Sequence, residues 1–118
     1  MDSTEVIKNL TVDLKRGTLV LLVLSQLNSP EYGYSLVQKL EGKNVPIEAG
    51  TLYPLLRRLE KQNLLTSEWD TSETRPRKFY SLSDLGKEVY QDLKVEWRTL
   101  AQQVEFLLME EEKNNESD

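Results

Sequence analysis

Ala49-Gly50-Thr51-Leu52-Tyr53-Pro54-Leu55-Leu56-Arg57-Arg58-Leu59-Glu60-Lys61 is the stretch on which the fold turns. Leu52, Leu55, Leu56, Leu59 and Leu64 recur at the helical period and predict a helix over about 49–63. Pro54 falls in or near its first turn, where a missing N–H is tolerated. Arg57, Arg58 and Lys61 lie on the polar side. Two short strand-like segments follow, Leu65-Thr66-Ser67-Glu68-Trp69 and Lys78-Phe79-Tyr80-Ser81-Leu82. They flank the polar stretch from Asp70 to Arg77, so the pair reads as a β-hairpin with a mobile, partly basic tip.

Working towards the N-terminus, Val45-Pro46-Ile47 precede the helix, and Gly42 ends an earlier one over about 31–42. Pro30 suits the start of that earlier helix, and Tyr34, Val37 and Leu40 mark one of its faces. Before it, Leu19 to Leu27 is almost wholly apolar and fits a buried strand or a buried helix, with leucine richness favouring the helix. Val6, Ile7, Leu10, Val12 and Leu14 outline a short, weakly amphipathic helix at the start.

Towards the C-terminus, Ser83-Asp84 are capping residues for a last helix over about 84–111. Leu85, Val89, Leu93, Trp97, Leu100, Val104 and Leu107 form its stripe. A helix of roughly 40 Å exceeds what a domain of this size can cover. Its apolar face must meet the N-terminal helix or a second subunit.

Three helices followed by a two-stranded wing make a winged helix-turn-helix, mainly α with a small β-hairpin. The expected division is an N-terminal helix contributing to dimerisation (1–13), the winged-helix domain (14–83), a C-terminal dimerisation helix (84–112) and a disordered acidic tail (113–118).

Composition narrows the function. The 118 residues suffice for one domain, and their formal charge is −5. Taken whole, that charge opposes simple polycation binding to nucleic acid. Counted by segment, residues 1–14 carry −2, residues 15–80 carry +3 and residues 81–118 carry −6. The basic middle is the part that would face DNA. Histidine and cysteine are absent, which excludes Cys/His zinc sites, thiolate nucleophiles, Ser-His-Asp triads and disulfides. There is no Gly-rich phosphate loop or paired-carboxylate motif either, so no enzyme, metal site or cofactor is expected. The acidic start Met1-Asp2-Ser3-Thr4-Glu5 has no signal-like pattern, and the longest apolar run, Leu19–Leu24, is too short to span a membrane. The expectation is a cytoplasmic protein with no membrane partner.

In a winged helix the helix before the wing enters the major groove. Thr51 and Tyr53 lie near its start, with Arg57 and Lys61 one and two turns later. Arg75, Arg77 and Lys78 at the wing suit phosphates or a minor groove.

The order and spacing of several motifs resemble the PadR family of transcriptional regulators. They are Leu14-Lys15-Arg16-Gly17-Thr18-Leu19, Tyr32-Gly33-Tyr34, Gly50–Lys61, Leu64–Trp69 and Arg77–Gly86, with Glu96-Trp97 beyond them. The likeness is to the short branch, which has one C-terminal dimerisation helix. It implies a homodimer on a pseudo-palindromic double-stranded operator, usually a repressor. By the resemblance, Thr51, Tyr53 and Arg57 face DNA, and Tyr32 and Tyr34 match tyrosines on the second helix, one of which reaches a phosphate. For Tyr34 an aromatic core position is the stronger expectation. Lys15 and Lys61 join the phosphate contacts. Arg58 either faces DNA or pairs with a carboxylate, and Glu60 is expected to be an ion-pair partner. The wing tip departs from the family, which often has glycines where this chain has Thr71-Ser72-Glu73-Thr74-Arg75-Pro76.

Trp97, with Leu93, is the candidate effector pocket. In the short branch the matching tryptophan can line an apolar pore between subunits and stack on planar, hydrophobic, phenolic or cationic compounds. Packing at the dimer interface alone is the other reading of Trp97. The competing function is a winged-helix adaptor that binds proteins and not DNA.

Overall fold

The computed structural model describes residues 2–117. Its helices are α1 (Ser3–Arg16), α2 (Leu19–Ser25), α3 (Gly33–Gly42), α4 (Ala49–Lys61) and α5 (Asp84–Ser117). Its strands are β1 (Glu31–Tyr32), β2 (Leu65–Asp70) and β3 (Arg77–Leu82), joined antiparallel in the order β1-β3-β2. The ambiguous apolar stretch is therefore a helix, and the hairpin is the wing.

One side of each of α2, α3 and α4 closes the core. Val23, Leu24 and Leu27 meet Leu36 and Leu40, and Leu52, Leu55, Leu56 and Leu59 fill the space between them and the base of the wing. Leu65, Tyr80 and Leu82 seal that base. α3 ends at Gly42, with Asn44 in the left-handed region (φ 61°) and the Val45 N–H returning to the Leu40 carbonyl at 3.0 Å. Asn63 (φ 64°) ends α4 the same way, with the Leu64 N–H on the Leu59 carbonyl at 3.0 Å. Asparagine tolerates this conformation better than most residues.

α5 is docked at its start. The Ser83 hydroxyl accepts from the Gly86 N–H at 2.9 Å and donates to the Asn63 carbonyl at 2.6 Å. A Cβ on Gly86 would lie 2.0 Å from the Leu64 carbonyl oxygen, so only glycine permits this close approach.

Four expectations change. The segment after Pro30 does not begin as a helix: Glu31 and Tyr32 pair with Tyr80 and Phe79 as a third strand, and α3 starts at Gly33. The partner strand draws them out: Tyr32 is extended, and its ring meets Phe79 edge-on at 5.3 Å. α1 continues through Arg16, placing Lys15 in its last turn. Pro54 is the sixth residue of α4 and lies beyond its first turn, so the Gly50 carbonyl has no i+4 donor. α5 continues through Ser117 and includes residues 113–117, where a tail was expected. Glu110, Glu111, Glu112 and Lys113, good helix formers, lead into this stretch, and it contains no Gly or Pro. Met1 and Asp118, the outer ends of the expected first and last segments, lie outside the described residues.

α1 and α5 stand apart from the core. α1 has no buried residue, and Leu10 is 61% exposed. Beyond its contact with α2, α5 leaves Leu100, Val104 and Leu107 in the open. At 34 residues, α5 is about 51 Å long and accounts for the elongated shape, 67 × 35 × 24 Å.

Candidate nucleic-acid interface

α4 buries the leucine side of its amphipathic sequence, which turns Gly50, Pro54, Arg57 and Lys61 outward at helical spacing. Arg57 and Lys61 are exposed and make no ion pair among the described residues. Arg58 is likewise exposed and unpaired. It lies on the flank towards α2, in a depression shared with Thr51 and Arg16. Thr51 therefore sits at the edge of the outward face. Arg16, next to the predicted Lys15, is the α1 cation that borders α4.

Tyr53 lies on the opposite flank, half-buried against α3. A Cβ on Gly33 would fall 2.3 Å from its ring carbon Cε1, so glycine lets the ring lie against the α3 start. Tyr34, expected in the core, is 58% exposed. Leu36 and Leu40 take the buried side of α3, and Tyr34 projects from another side.

The strand register sorts the wing side chains by face. Glu31, Tyr80 and Ser67 share one face, and Tyr32, Phe79 and Glu68 the other. Trp69 and Lys78 pair on the first face, towards α4, whereas Arg77 belongs to the second. The three predicted wing cations consequently have different surroundings. Arg75 is exposed at the tip and makes no ion pair among the described residues. Arg77 pairs with Glu73 at 2.9 Å and its guanidinium lies 4.9 Å from the centre of the Tyr32 ring. Lys78 turns inward, its Nζ 2.9 Å from Glu60 Oε1 and 5.2 Å from the Tyr80 ring centre. The other Glu60 oxygen accepts from the Ser67 hydroxyl. Those bonds, Ser67 first and Lys78 second, hold the Glu60 carboxyl below its ordinary range. The bond to Glu60 raises the Lys78 ammonium above its own.

The glycine-free tip has a local explanation. The Ser72 N–H donates to Asp70 Oδ1 at 2.9 Å, an Asx-type turn that directs the chain without glycine. Hydrogen bonding from the Ser72 side chain first, and from its N–H second, lowers the Asp70 carboxyl.

Between the α3 start, α4 and the wing runs an open groove of about 500 Å³, lined by Tyr32, Tyr34, Tyr53, Trp69, Arg75 and Arg77, among others. Trp69 is 64% exposed there and was not among the sequence candidates. Strand alternation could have found it: Leu65, Ser67 and Trp69 share a face, and only Trp69 lies beyond the core.

Trp97 and Leu93 come together in a separate depression of about 260 Å³ between α2 and α5, with Gly17, Val20, Leu21, Glu96 and Leu100. Trp97 is 46% exposed within the single chain. No group of three or more Asp, Glu, His or Cys side chains that could hold a metal occurs among the described residues. No helix among them is long and apolar enough to cross a membrane.

The comparisons with known proteins agree on a family. The family model described as "Transcriptional regulator PadR-like family" matches residues 20–92. A PadR family transcriptional regulator from Eggerthella lenta is 48% identical, with a TM-score of 0.84 over 89% of this chain and 94% of that one. The transcriptional regulator Rv3488 of Mycobacterium tuberculosis is 33% identical over 76 residues, 64% of this chain and 71% of its own length. Bacillus subtilis PadR, solved in complex with operator DNA, is 23% identical and shares the fold, with a TM-score of 0.61 over 66% of this chain and 46% of that one. From α2 into the first turns of α5, the matched residues span the helices and wing described above, and the chain belongs to the PadR-like family of transcriptional regulators.

Proposed function

We propose that this regulator binds double-stranded DNA directly as a homodimer, with α4 in the major groove and the wing on the flanking backbone. The observation that carries the reading is the outward face of α4, where Arg57 and Lys61 stand exposed and unpaired above a buried leucine face. In this reading Arg57 reaches base edges and Lys61 meets a phosphate. Tyr53 and Thr51 flank them. Lys15, Tyr32, Arg75 and Arg77 supply the outer contacts, with Arg77 exchanging Glu73 for a phosphate on binding.

The exposed apolar residues of α1 and α5 form the dimer contact, setting two α4 helices about 34 Å apart on a pseudo-palindromic site. The chain works in the cytoplasm as a repressor and not as an enzyme. A small planar or hydrophobic effector enters the Trp97–Leu93 depression, where ring stacking favours it and Glu96 at the rim favours a cation. By binding better to the form with misplaced α4 helices, it releases DNA.

Arg57→Ala tests this reading. The variant should keep its thermal midpoint and lose about 1–3 kcal/mol of operator affinity. Unchanged affinity in a mobility-shift titration would remove α4 from the interface. No binding to any duplex at low salt by the unaltered protein would favour the protein-binding adaptor instead.

A further inference from the structure

We propose that Glu60 and Lys78 are a positioning pair that sets the wing against the recognition helix, so that Lys78 serves the protein's own carboxylate and not a DNA phosphate. The inference rests on the DNA-binding reading above and assigns one of its cations a different task.

Glu60 lies in the last turn of α4, on the flank facing the wing, and its two oxygens are divided between the two wing strands. One accepts from Ser67 on β2 and the other from Lys78 on β3, at 2.9 Å. Among the described residues these are the side-chain hydrogen bonds between α4 and the hairpin. They sit where the core ends. Leu65, Tyr80 and Leu82 are buried at the wing base, whereas Glu68, Trp69 and Asp70 beyond it are exposed. The distal wing thus depends on this carboxylate for its angle to α4. Both partners are 29% exposed at the side chain, so the pair is shielded enough to hold its geometry. Removing Lys78 leaves Glu60 with Ser67 alone, and removing Glu60 leaves the Lys78 ammonium with only the Tyr80 ring.

The usual alternative makes the opposite prediction. If Lys78 were a phosphate contact and Glu60 a neighbour repelling DNA, neutralising Glu60 would tighten binding. A positioning pair requires that it weaken binding.

The test uses the full chain and a duplex selected with the unaltered protein from a random-sequence library, titrated by fluorescence anisotropy at several salt concentrations. Glu60→Gln and Lys78→Met should each weaken binding about threefold to fivefold, and the double variant should be no weaker than either, since both break one interaction. The salt slope should stay unchanged in all three, whereas a lost phosphate contact would lower it by about 0.9. Ser67→Ala, which alters no charge, should weaken binding in the same direction and guards against a folding defect in the charge variants. Binding by Glu60→Gln as tight as the unaltered chain or tighter, or a reduced slope in Lys78→Met, overturns the pair alone. Failure of the unaltered protein to enrich any duplex overturns the DNA-binding reading and, with it, the purpose assigned to the pair.

Discussion

The module from α2 to β3 and the two helices outside it, α1 and α5, use similar apolar residues to opposite ends. Leu24 of α2 and the leucines of α3 and α4 vanish into a common core, and residues 15–80 are net basic. Leucines on α1 and along most of α5 stand in the open; α5 is net acidic, whereas α1 carries three basic and two acidic residues. Residue type does not distinguish the two regions. What differs is whether the apolar partner lies in the same chain. An exposed stripe this long is what the proposed second copy would cover, and the acidic charge of α5 would keep that end away from phosphate.

Core and stripe should respond differently to the same kind of substitution. Leu56→Ala empties a fully packed site and should cost about 2–5 kcal/mol of stability, read by denaturant unfolding. Leu100→Glu leaves the module's core intact and should instead convert a dimer into a monomer in sedimentation experiments. A variant that stays dimeric, with unaltered stability, would break the comparison. A smaller effect is expected on the basic side: Arg75→Ala should weaken binding evenly across sequences and lower the salt slope by about one. An altered base preference would mean that the wing reads sequence.

The smallest effect concerns pH. Glu60 is held below its ordinary range by Ser67 and Lys78, so its stabilisation is complete above the unfolded carboxyl's titration and fades as pH falls through the lowered folded value. Lys78, raised by Glu60, contributes below the unfolded lysine's titration and loses that contribution as pH rises through its raised folded value. At this exposure the pair is worth no more than about 1 kcal/mol. The stability gap between the unaltered chain and Glu60→Gln should close in acid. A gap that persists there would mean that the pair's charge has no part in stability.

Most of this architecture was legible because it is written in short-range periodicity. The α4 leucines, the hairpin and the α5 stripe each repeat within a few residues, and the capping Ser83 sits where a helix must begin. The third strand was not legible. Glu31 and Tyr32 are extended because Phe79 and Tyr80, far along the chain, offer them a partner. The same distance effect explains the site. Helical spacing put Arg57 and Lys61 outward, but whether Lys78 met solvent or Glu60 depended on the register of β3 against β2. Tyr34 and Trp69 are large aromatics whose exposure depends on where the core stops, which local pattern does not record. Arg16 was hidden by its neighbour Lys15, since only the turn between α1 and α2 decides which cation borders α4.

In the proposed complex, α1 and α5 of two copies hold two winged-helix modules at a fixed spacing on DNA. Hydroxyl-radical footprinting on a selected duplex, with the stoichiometry read from the same titration, tests it most directly. Two chains per duplex should protect two half-sites about 34 Å apart. One chain per duplex, or a single protected patch, would contradict it.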